Sequence, residues 1–255
     1  MNNRLLLMSS GLDSFIAWRL LDEPKAVYYA IGHPYEQIEL VSLKRIYQNL
    51  LDTYGKTLDL EVLERLQLGD LQMADGHIPY RNLFFAVLAA LDADTIYIGA
   101  LAGETSRDKS WYFLSAVSKL LSYTESHPIK FSAPFKRYTK TQLVAEYLKK
   151  YPTEKDRDML GLTRSCYSGY AMPEGVQGCG RCMACFRRWV AMENNGIYEK
   201  YLEDPSTWSV VQTNKTAMKD WWKYIANTDP REYIGLIRNN VDAWKALRLS
   251  RNKEA

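Results

Sequence analysis

The sequence is poor in the residues that mark several specialised classes of protein. It contains four cysteines and three histidines in 255 residues, which excludes a disulfide-dense secreted scaffold. Its 33 basic and 30 acidic residues leave a net charge of only +3, too little to indicate a nucleic-acid binder. Long apolar runs are also missing: the run at 83–91 is too short to cross a bilayer, and the one near the amino terminus is too short for a secretion signal. We therefore expect a globular protein of the reducing cytoplasm, with no membrane partner.

Strand and helix patterns alternate over most of the chain. An unbroken apolar stretch at 4–8 predicts a strand buried on both faces. Gly55 is the predicted stop signal of one helix, and Thr139 the predicted cap of another. The other strands are predicted at 26–31, within 57–63, at 95–98 and at 130–133, and the helices at 15–21, 36–54, 81–91, 111–121 and 140–151. This order is typical of an α/β fold with a parallel sheet and helices on both faces.

The character of the chain changes after about residue 160, and this change predicts three regions. We expect an α/β core at 1–160, a cysteine-bearing segment at 161–190 and a helical extension at 191–255. The extension is rich in aromatic residues, which we expect to pack on the sheet or to form a dimer contact: Tyr198, Tyr201, Trp208, Trp221, Trp222, Tyr224, Tyr233 and Trp244. Lysines interleave with them, but the near-balanced charge argues against a nucleic-acid platform.

The loop after the first strand is the first candidate for a functional site. It is rich in small residues and lies where an open parallel sheet binds ligands, between a strand end and a helix start. Backbone N–H groups and the helix N-terminus there suit a phosphate, and Asp13 suits Mg²⁺ or a helix cap. An ordinary Ser or Asp cap on a βα turn explains the same spacing equally well. No Gly-rich loop closing in Gly-Lys-Ser/Thr occurs in the chain, so any bound ATP would use this shorter loop.

The four cysteines form the second candidate site. All of them lie between 166 and 185, and the last three are spaced Cys-x₂-Cys-x₂-Cys. Four thiolates suit tetrahedral Zn²⁺, and we predict a zinc site that ties the C-terminal segment together. An iron–sulfur cluster is the alternative, because it uses the same spacing.

The motifs taken together resemble one family. The chain resembles the 7-cyano-7-deazaguanine synthases, the nitrile-forming enzymes of the queuosine pathway within the pyrophosphate-loop ATP pyrophosphatases. The resemblance runs from about residue 5 to about residue 188, and its most specific part is a Ser-Cys-Tyr segment followed by Cys-Gly-Arg-Cys-x-x-Cys. The matching segments lie at 9–14, 79–85, 96–99, 133–135 with 139–140, 165–169 and 179–185.

This resemblance implies a fold and a reaction. The fold would be an adenine-nucleotide α-hydrolase-like, Rossmann-like core with a zinc-bearing, helical C-terminal segment. The enzyme would convert 7-carboxy-7-deazaguanine and ammonia to the nitrile with ATP, through an adenylate and an amide. Mg²⁺ and Zn²⁺ are the implied metal ions, and a homodimer is the implied assembly.

The resemblance also assigns roles to individual residues. The residues assigned to ATP are Met8, Ser9, Ser10, Gly11, Leu12, Asp13 and Ser14. The residues assigned to the substrate are Arg81, Asn82, Glu104 and Asp108. The catalytic candidates are Asp13, Arg81 and Asp108. The zinc ligands are Cys166, Cys179, Cys182 and Cys185.

The chain departs from the family pattern in three places. Ser10 stands where the family's loop has its first glycine, so we expect Ser10 to have a negative φ. At 32–35 the family's Asp-Tyr-Gly-Gln is absent, and at 102–113 only Asp108 and Phe113 match the segment expected to face the deazapurine. These departures suit a divergent member, which in a viral copy would work in the host cytoplasm. They keep two alternatives open: a tRNA-modifying thiolase, or a relative that transfers or amidates a deazapurine on a macromolecule.

Overall fold

The computed structural model describes residues 3–64, 66–73, 77–104, 106–207 and 230–251. The chain forms two compact units. Unit 1 comprises Met1–Ala100 and Thr105–Phe135, and unit 2 comprises Leu101–Glu104 and Lys136–Ala255. The sequence-based division at 160 and 190 stays a prediction. Among the described residues, no helix is both long and apolar enough to cross a bilayer.

Unit 1 is built on a five-stranded parallel sheet, which confirms the predicted fold class. The strands are β1 (Arg4–Leu7), β2 (Lys25–Tyr29), β3 (Leu60–Leu63), β4 (Thr95–Ile98) and β5 (Lys130–Ser132). Their order is β3-β2-β1-β4-β5, so the chain leaves the central pair β1 and β4 in opposite directions. Ligands bind open sheets of this kind at the carboxyl ends of such a central pair.

The helices of unit 1 follow the strands one by one. They are α1 (Leu12–Leu20), α2 (Glu36–Tyr54), α3 (Arg81–Ala90) and α4 (Trp111–Glu125). Right-handed crossovers place α1 and α2 on one face of the sheet and α3 and α4 on the other. The packing agrees, because one buried cluster contains alternate strand residues with residues of α3 and α4: Leu5, Leu7, Val27, Tyr29, Ile96, Ile98, Ala86, Ala89, Leu114 and Val117.

Two helix ends illustrate what local sequence can and cannot predict. Gly55 ends α2 as predicted, in the left-handed conformation at φ 61°, which glycine adopts without a steric cost. The predicted end of α4 at residue 121 is wrong, since the helix continues to Glu125. Ser122 explains the extension: its hydroxyl donates to Ile129 O and accepts from Ile129 N, so a polar residue joins the last turn of α4 to the start of β5.

Unit 2 is helical, with α5 (Lys140–Lys150), α6 (Glu154–Leu162), α7 (Met183–Glu193) and α8 (Pro230–Arg251). Thr139 caps α5 as predicted, and Thr153 caps α6, a helix that the sequence analysis did not predict. Among the described residues of unit 2 the only β contact is a bridge between Val176 and Lys200. The predicted aromatic residues Trp208, Trp221, Trp222 and Tyr224 lie outside the described residues.

Candidate active site and metal centre

The loop between β1 and α1 is held by its own side chains. The Ser14 hydroxyl donates to Ser9 O at 2.8 Å, and Ser9 N donates to the same hydroxyl at 3.2 Å. The N-cap of α1 is Gly11, which has no side chain to cap the helix. The alternative of an ordinary Ser or Asp cap is therefore wrong. The N–H groups of the first turn keep the donors that make a helix N-terminus an anion site.

Ser10 occupies the glycine position of this loop without backbone strain. It is absent from the residues with positive φ, which confirms the expected negative φ. The side chain is fully buried, and its hydroxyl has no hydrogen-bond partner among the described residues. The loop therefore accepts serine here by burying a small side chain, and its backbone conformation does not require glycine.

Gly99 brings the end of β4 against this loop. A Cβ atom built on Gly99 would lie 3.4 Å from Ser14 N and 3.5 Å from Ser14 Cα. These are van der Waals contact distances, so the backbone at the end of β4 lies directly against the first turn of α1. The loop therefore lies between the diverging ends of β1 and β4, at the position where parallel sheets bind nucleotides.

The first turn of α3 holds three residues that matter for the predicted substrate site. Tyr80, the N-cap, is 71% exposed and adopts the left-handed conformation at φ 60°, which is uncommon for a residue with a side chain. Arg81 follows it and is half-buried. Asn82 is buried, and its Nδ2 donates to Oδ2 of Asp108 at 2.7 Å. The Ser106 hydroxyl donates to the other Asp108 oxygen.

The structure therefore brings together two of the four predicted substrate residues. Asn82 and Asp108 bond directly, and Arg81 precedes Asn82 on the same helical turn. Asp108 is half-buried in a single 3₁₀ turn, Arg107–Lys109. Glu104, the fourth residue, belongs to unit 2 and is half-buried there.

The sequence analysis did not identify a buried network that follows β2. The His33 ring is 7% exposed and lies between Glu36, 3.5 Å from Nδ1, and Glu39, 3.2 Å from Nε2. Glu36 also accepts from Ile31 N at 2.6 Å, and Tyr28 donates to Glu39 at 2.8 Å. Burial, reinforced by Glu39, raises the pKa of Tyr28. The available signal was the spacing of Glu36 and Glu39, which places both carboxylates on one face of the first turn of α2, three residues after His33.

The four cysteines of unit 2 converge as predicted. Their Sγ atoms all lie within 4.8 Å of one another, and three of the four side chains are buried. Backbone N–H groups point at the sulfurs, from Cys179 to Cys166 Sγ and from Cys185 to Cys182 Sγ, each at 3.4 Å. This arrangement suits a tetrahedral metal ion held by four thiolates.

The thiols are poorly matched to one another without a cation. Hydrogen bonds from Cys182 and Cys185 lower the pKa of Cys166, whereas burial raises the pKa of Cys179 to about 11. The bond to Cys166 raises the pKa of Cys185. One thiolate is thus favoured at the expense of its neighbours, and a bound divalent cation would allow all four thiols to ionise.

Two glycines let the chain turn around this centre. A Cβ on Gly178 would lie 2.6 Å from Cys185 Sγ, inside the sulfur cluster. Gly180 has φ +77°, and a Cβ there would collide with Glu203 O at 1.7 Å. The segment after α7 packs alongside, with Leu202 N donating to Gly178 O at 3.0 Å. Gly178 is therefore required because the cysteine side chains occupy the space of a Cβ, and Gly180 because the backbone of Glu203 does.

Comparison with known proteins identifies relatives over most of the chain. A family model described as "Queuosine biosynthesis protein QueC" matches residues 3–196, a stretch that contains the β1–α1 loop and all four cysteines. A 7-cyano-7-deazaguanine synthase of Methanosarcina mazei is 33% identical over 235 residues, 78% of this chain and 97% of the relative. One from Marinobacter nauticus is 25% identical, over 76% of this chain and 93% of the relative. One from Pyrococcus horikoshii is 26% identical, over 82% and 98%.

Proposed function

Because the chain belongs to the QueC family of queuosine biosynthesis proteins, we propose that it is itself a 7-cyano-7-deazaguanine synthase. It converts 7-carboxy-7-deazaguanine and ammonia to the nitrile at the expense of ATP. The observation that carries the proposal is the β1–α1 loop, which offers an uncapped helix N-terminus at the switch point of the sheet. We place the reaction in the cytoplasm, which supplies ATP and keeps thiols reduced.

The reaction needs two activations, because a carboxylate oxygen is a poor leaving group. The carboxylate attacks the α-phosphorus of ATP, which releases pyrophosphate and leaves an acyl adenylate. Ammonia then displaces AMP and forms the amide. The amide oxygen attacks the α-phosphorus of a second ATP and releases a second pyrophosphate. The resulting imidate adenylate then loses AMP and the two protons of its nitrogen, which forms the nitrile.

The residues of unit 1 supply binding and charge for these steps. The phosphates lie on the N–H groups of the first turn of α1, and the Asp13 carboxylate suits a Mg²⁺ ion that accompanies ATP. Arg81 neutralises a phosphate or the substrate carboxylate, since a guanidinium matches either anion. Asp108 faces the deazapurine.

We propose Zn²⁺ for the cysteine centre, where it stabilises the fold of unit 2. All four sulfurs face inward on one another, so no ligand position is left for a substrate. Metal analysis of purified protein is expected to give one zinc per chain and no visible absorption. If the purified protein is instead brown and contains iron and sulfide, the centre is an iron–sulfur cluster, and that result would favour a thiolase.

We also propose a homodimer, formed through α3. From Arg81 to Leu91 the only charged residue is Arg81, so this helix is apolar on every side. Its outer stripe is exposed in the single chain: Tyr80, Phe84, Val87 and Leu91. A helix that is apolar all round is ordinarily covered on all sides, and a second copy would cover this one.

The test is a pyrophosphate-release assay with ATP, Mg²⁺, ammonium and 7-carboxy-7-deazaguanine, with products identified by mass spectrometry. We expect the nitrile, and a loss of at least tenfold in kcat/KM for Asp13→Asn. Asp52→Asn, an equal change on the exposed face of α2, is the control and should leave the rate unchanged. An amide product would mean that the second activation is missing.

The altered segment at 102–113 favours one second candidate, in which the acceptor is a deazapurine on a macromolecule. Turnover with a protein or nucleic-acid acceptor, but with no free acid, would select this candidate and reject the synthase. ATP bound without turnover on either acceptor would reject both.

A further inference from the structure

Asn82 is buried in the first turn of α3. Its side chain is 3% exposed, and its amide nitrogen donates a hydrogen bond to Asp108 at 2.7 Å. Asn82 and Asp108 are 26 residues apart in sequence, on α3 and on the 3₁₀ turn after β4. Both elements follow carboxyl ends of strands of the same parallel sheet, where ligands bind.

We propose that Asn82 is a positioning residue, which holds the Asp108 carboxylate in the orientation that receives the deazapurine. This inference rests on the proposed function. It differs from the role that the sequence resemblance assigned to Asn82, which was direct contact with the substrate.

The hydrogen bonds of Asp108 are consistent with these two roles, in which Asn82 positions the carboxylate and Asp108 contacts the substrate. Each carboxylate oxygen has two lone pairs. Asn82 uses one lone pair of Oδ2, and the Ser106 hydroxyl uses one of Oδ1. As far as the described residues are concerned, one lone pair remains on each oxygen, and the two together match the adjacent N–H and NH₂ donors on the pyrimidine edge of a 7-deazaguanine. Asn82 and Ser106 fix the plane of the carboxylate, so that this pair is aimed before the substrate arrives.

An amide at position 82 can hold the Asp108 carboxylate in place without changing its charge. An aspartate at position 82 would place a second carboxylate against Asp108, and two carboxylates in contact cannot both ionise. An alanine would remove the hydrogen-bond donor to Asp108 Oδ2, and the carboxylate could then rotate. Asparagine donates a hydrogen bond and leaves Asp108 ionised, which is the state that accepts two N–H groups.

The test compares Asn82→Asp and Asn82→Ala in the pyrophosphate assay over pH 5.5–8.5, with thermal melting of each variant at the same pH. We expect Asn82→Asp to raise KM for the acid roughly tenfold to a hundredfold at the upper end of this range, with KM for ATP changed less than threefold. The defect should shrink as the pH falls, because a shared proton restores the hydrogen bond between the two carboxyls. Asn82→Ala should raise KM at every pH. Asn49→Asp on α2 is the matched control, since its amide oxygen accepts from Thr53 and an aspartate accepts equally well.

The exchanged pair, Asn82→Asp with Asp108→Asn, separates positioning from structure. It restores the hydrogen bond with its direction reversed, so the melting temperature should return toward that of the wild type. The substrate now meets an amide, so KM for the acid should stay high. Two results would overturn the inference and make the contact purely structural. One is recovery of KM for the acid in the exchanged pair, and the other is a KM for Asn82→Asp that is independent of pH. A wild-type chain that neither binds nor converts the acid would overturn the proposed function itself.

Discussion

Arg188 shows at the scale of one residue how unit 2 accommodates a buried charge. The guanidinium is 1% exposed and bonds Glu199 Oε1, itself 6% exposed, at 2.7 Å. It also donates to Leu160 O at 2.7 Å and to Thr163 Oγ1 at 2.8 Å. Burial alone would lower the pKa of Arg188, but Glu199 outweighs it and the pKa is raised. The charge is therefore fully paired, and it joins the end of α6 to α7 and the segment beyond.

Removing this charge should destabilise unit 2 severely. Arg188→Met is expected to cost about 3–5 kcal/mol of unfolding free energy, because it leaves Glu199 buried without a counter-charge. The measurement is chemical denaturation of the metal-loaded protein. Arg181→Met is the control: its pair with Glu203 is 65% and 57% exposed, and its loss should cost less than about 1 kcal/mol. An equal loss in both variants would contradict the burial argument.

At the scale of the element, two threonine helix caps of unit 2 can be compared. Thr139 and Thr153 both close capping boxes, at the starts of α5 and α6. The Thr139 hydroxyl also donates to Asp242 Oδ2 of α8 at 2.6 Å, so it links two helices of unit 2. Thr139 is 1% exposed, and this second bond is not visible in the local sequence pattern.

Thr139→Ala should therefore be the more damaging of two matched substitutions. We expect a loss of about 2–3 kcal/mol for Thr139→Ala, the sum of a cap and a buried bond to a carboxylate. Thr153→Ala should lose about 1 kcal/mol, since its bonds stay within its own cap. Thermal melting or urea denaturation of the two variants side by side measures the difference. Equal losses would mean that the bond to Asp242 contributes nothing.

The apolar surface of α3 belongs to the scale of the whole molecule, because the proposed assembly would cover it. The neighbouring helix α4 also exposes large apolar side chains: Tyr112, Leu120 and Tyr123. Together these side chains offer roughly 800 Å², the share that one partner contributes to an interface of standard size.

A charge in this surface should separate the proposed dimer. Phe84→Glu is expected to raise the dimer dissociation constant at least a hundredfold, because the interface would bury an unpaired carboxylate. Light scattering after size exclusion measures the mass across a concentration series. Val41→Glu is the control, since Val41 is 50% exposed on α2 and belongs to a different surface. A monomeric wild type would reject the proposed assembly.

Metal removal is the second test at this scale. Chelation should unfold unit 2 cooperatively, because the energy of metal binding is folding energy in a cysteine centre. Zinc affinity should fall as the pH falls, since protons compete with the metal for the thiols. The raised pKa of Cys179, about 11, means that the metal must displace a proton there throughout the neutral range. Circular dichroism with a zinc-sensitive dye follows both events, and zinc loss without unfolding would contradict the structural role.

Much of this protein was determined by local pattern in the sequence. Period and turn chemistry predicted the five strands, the exact span of α2 and the cap of α5, because each depends on neighbouring residues. The cysteine spacing predicted the thiol cluster, because four cysteines in one short segment can bring their sulfurs close to one another. The order of motifs indicated the family, which the comparison with known proteins confirmed.

Only the tertiary structure decided which residues become partners across long separations. The extension of α4 depends on Ser122 meeting β5, and the role of Asn82 depends on Asp108, 26 residues away. The burial of His33 between Glu36 and Glu39 depends on how the loop after β2 folds onto the start of α2. The physical reason is common to all three: whether a polar group faces water or a partner depends on packing, and local periodicity contains no information about that choice.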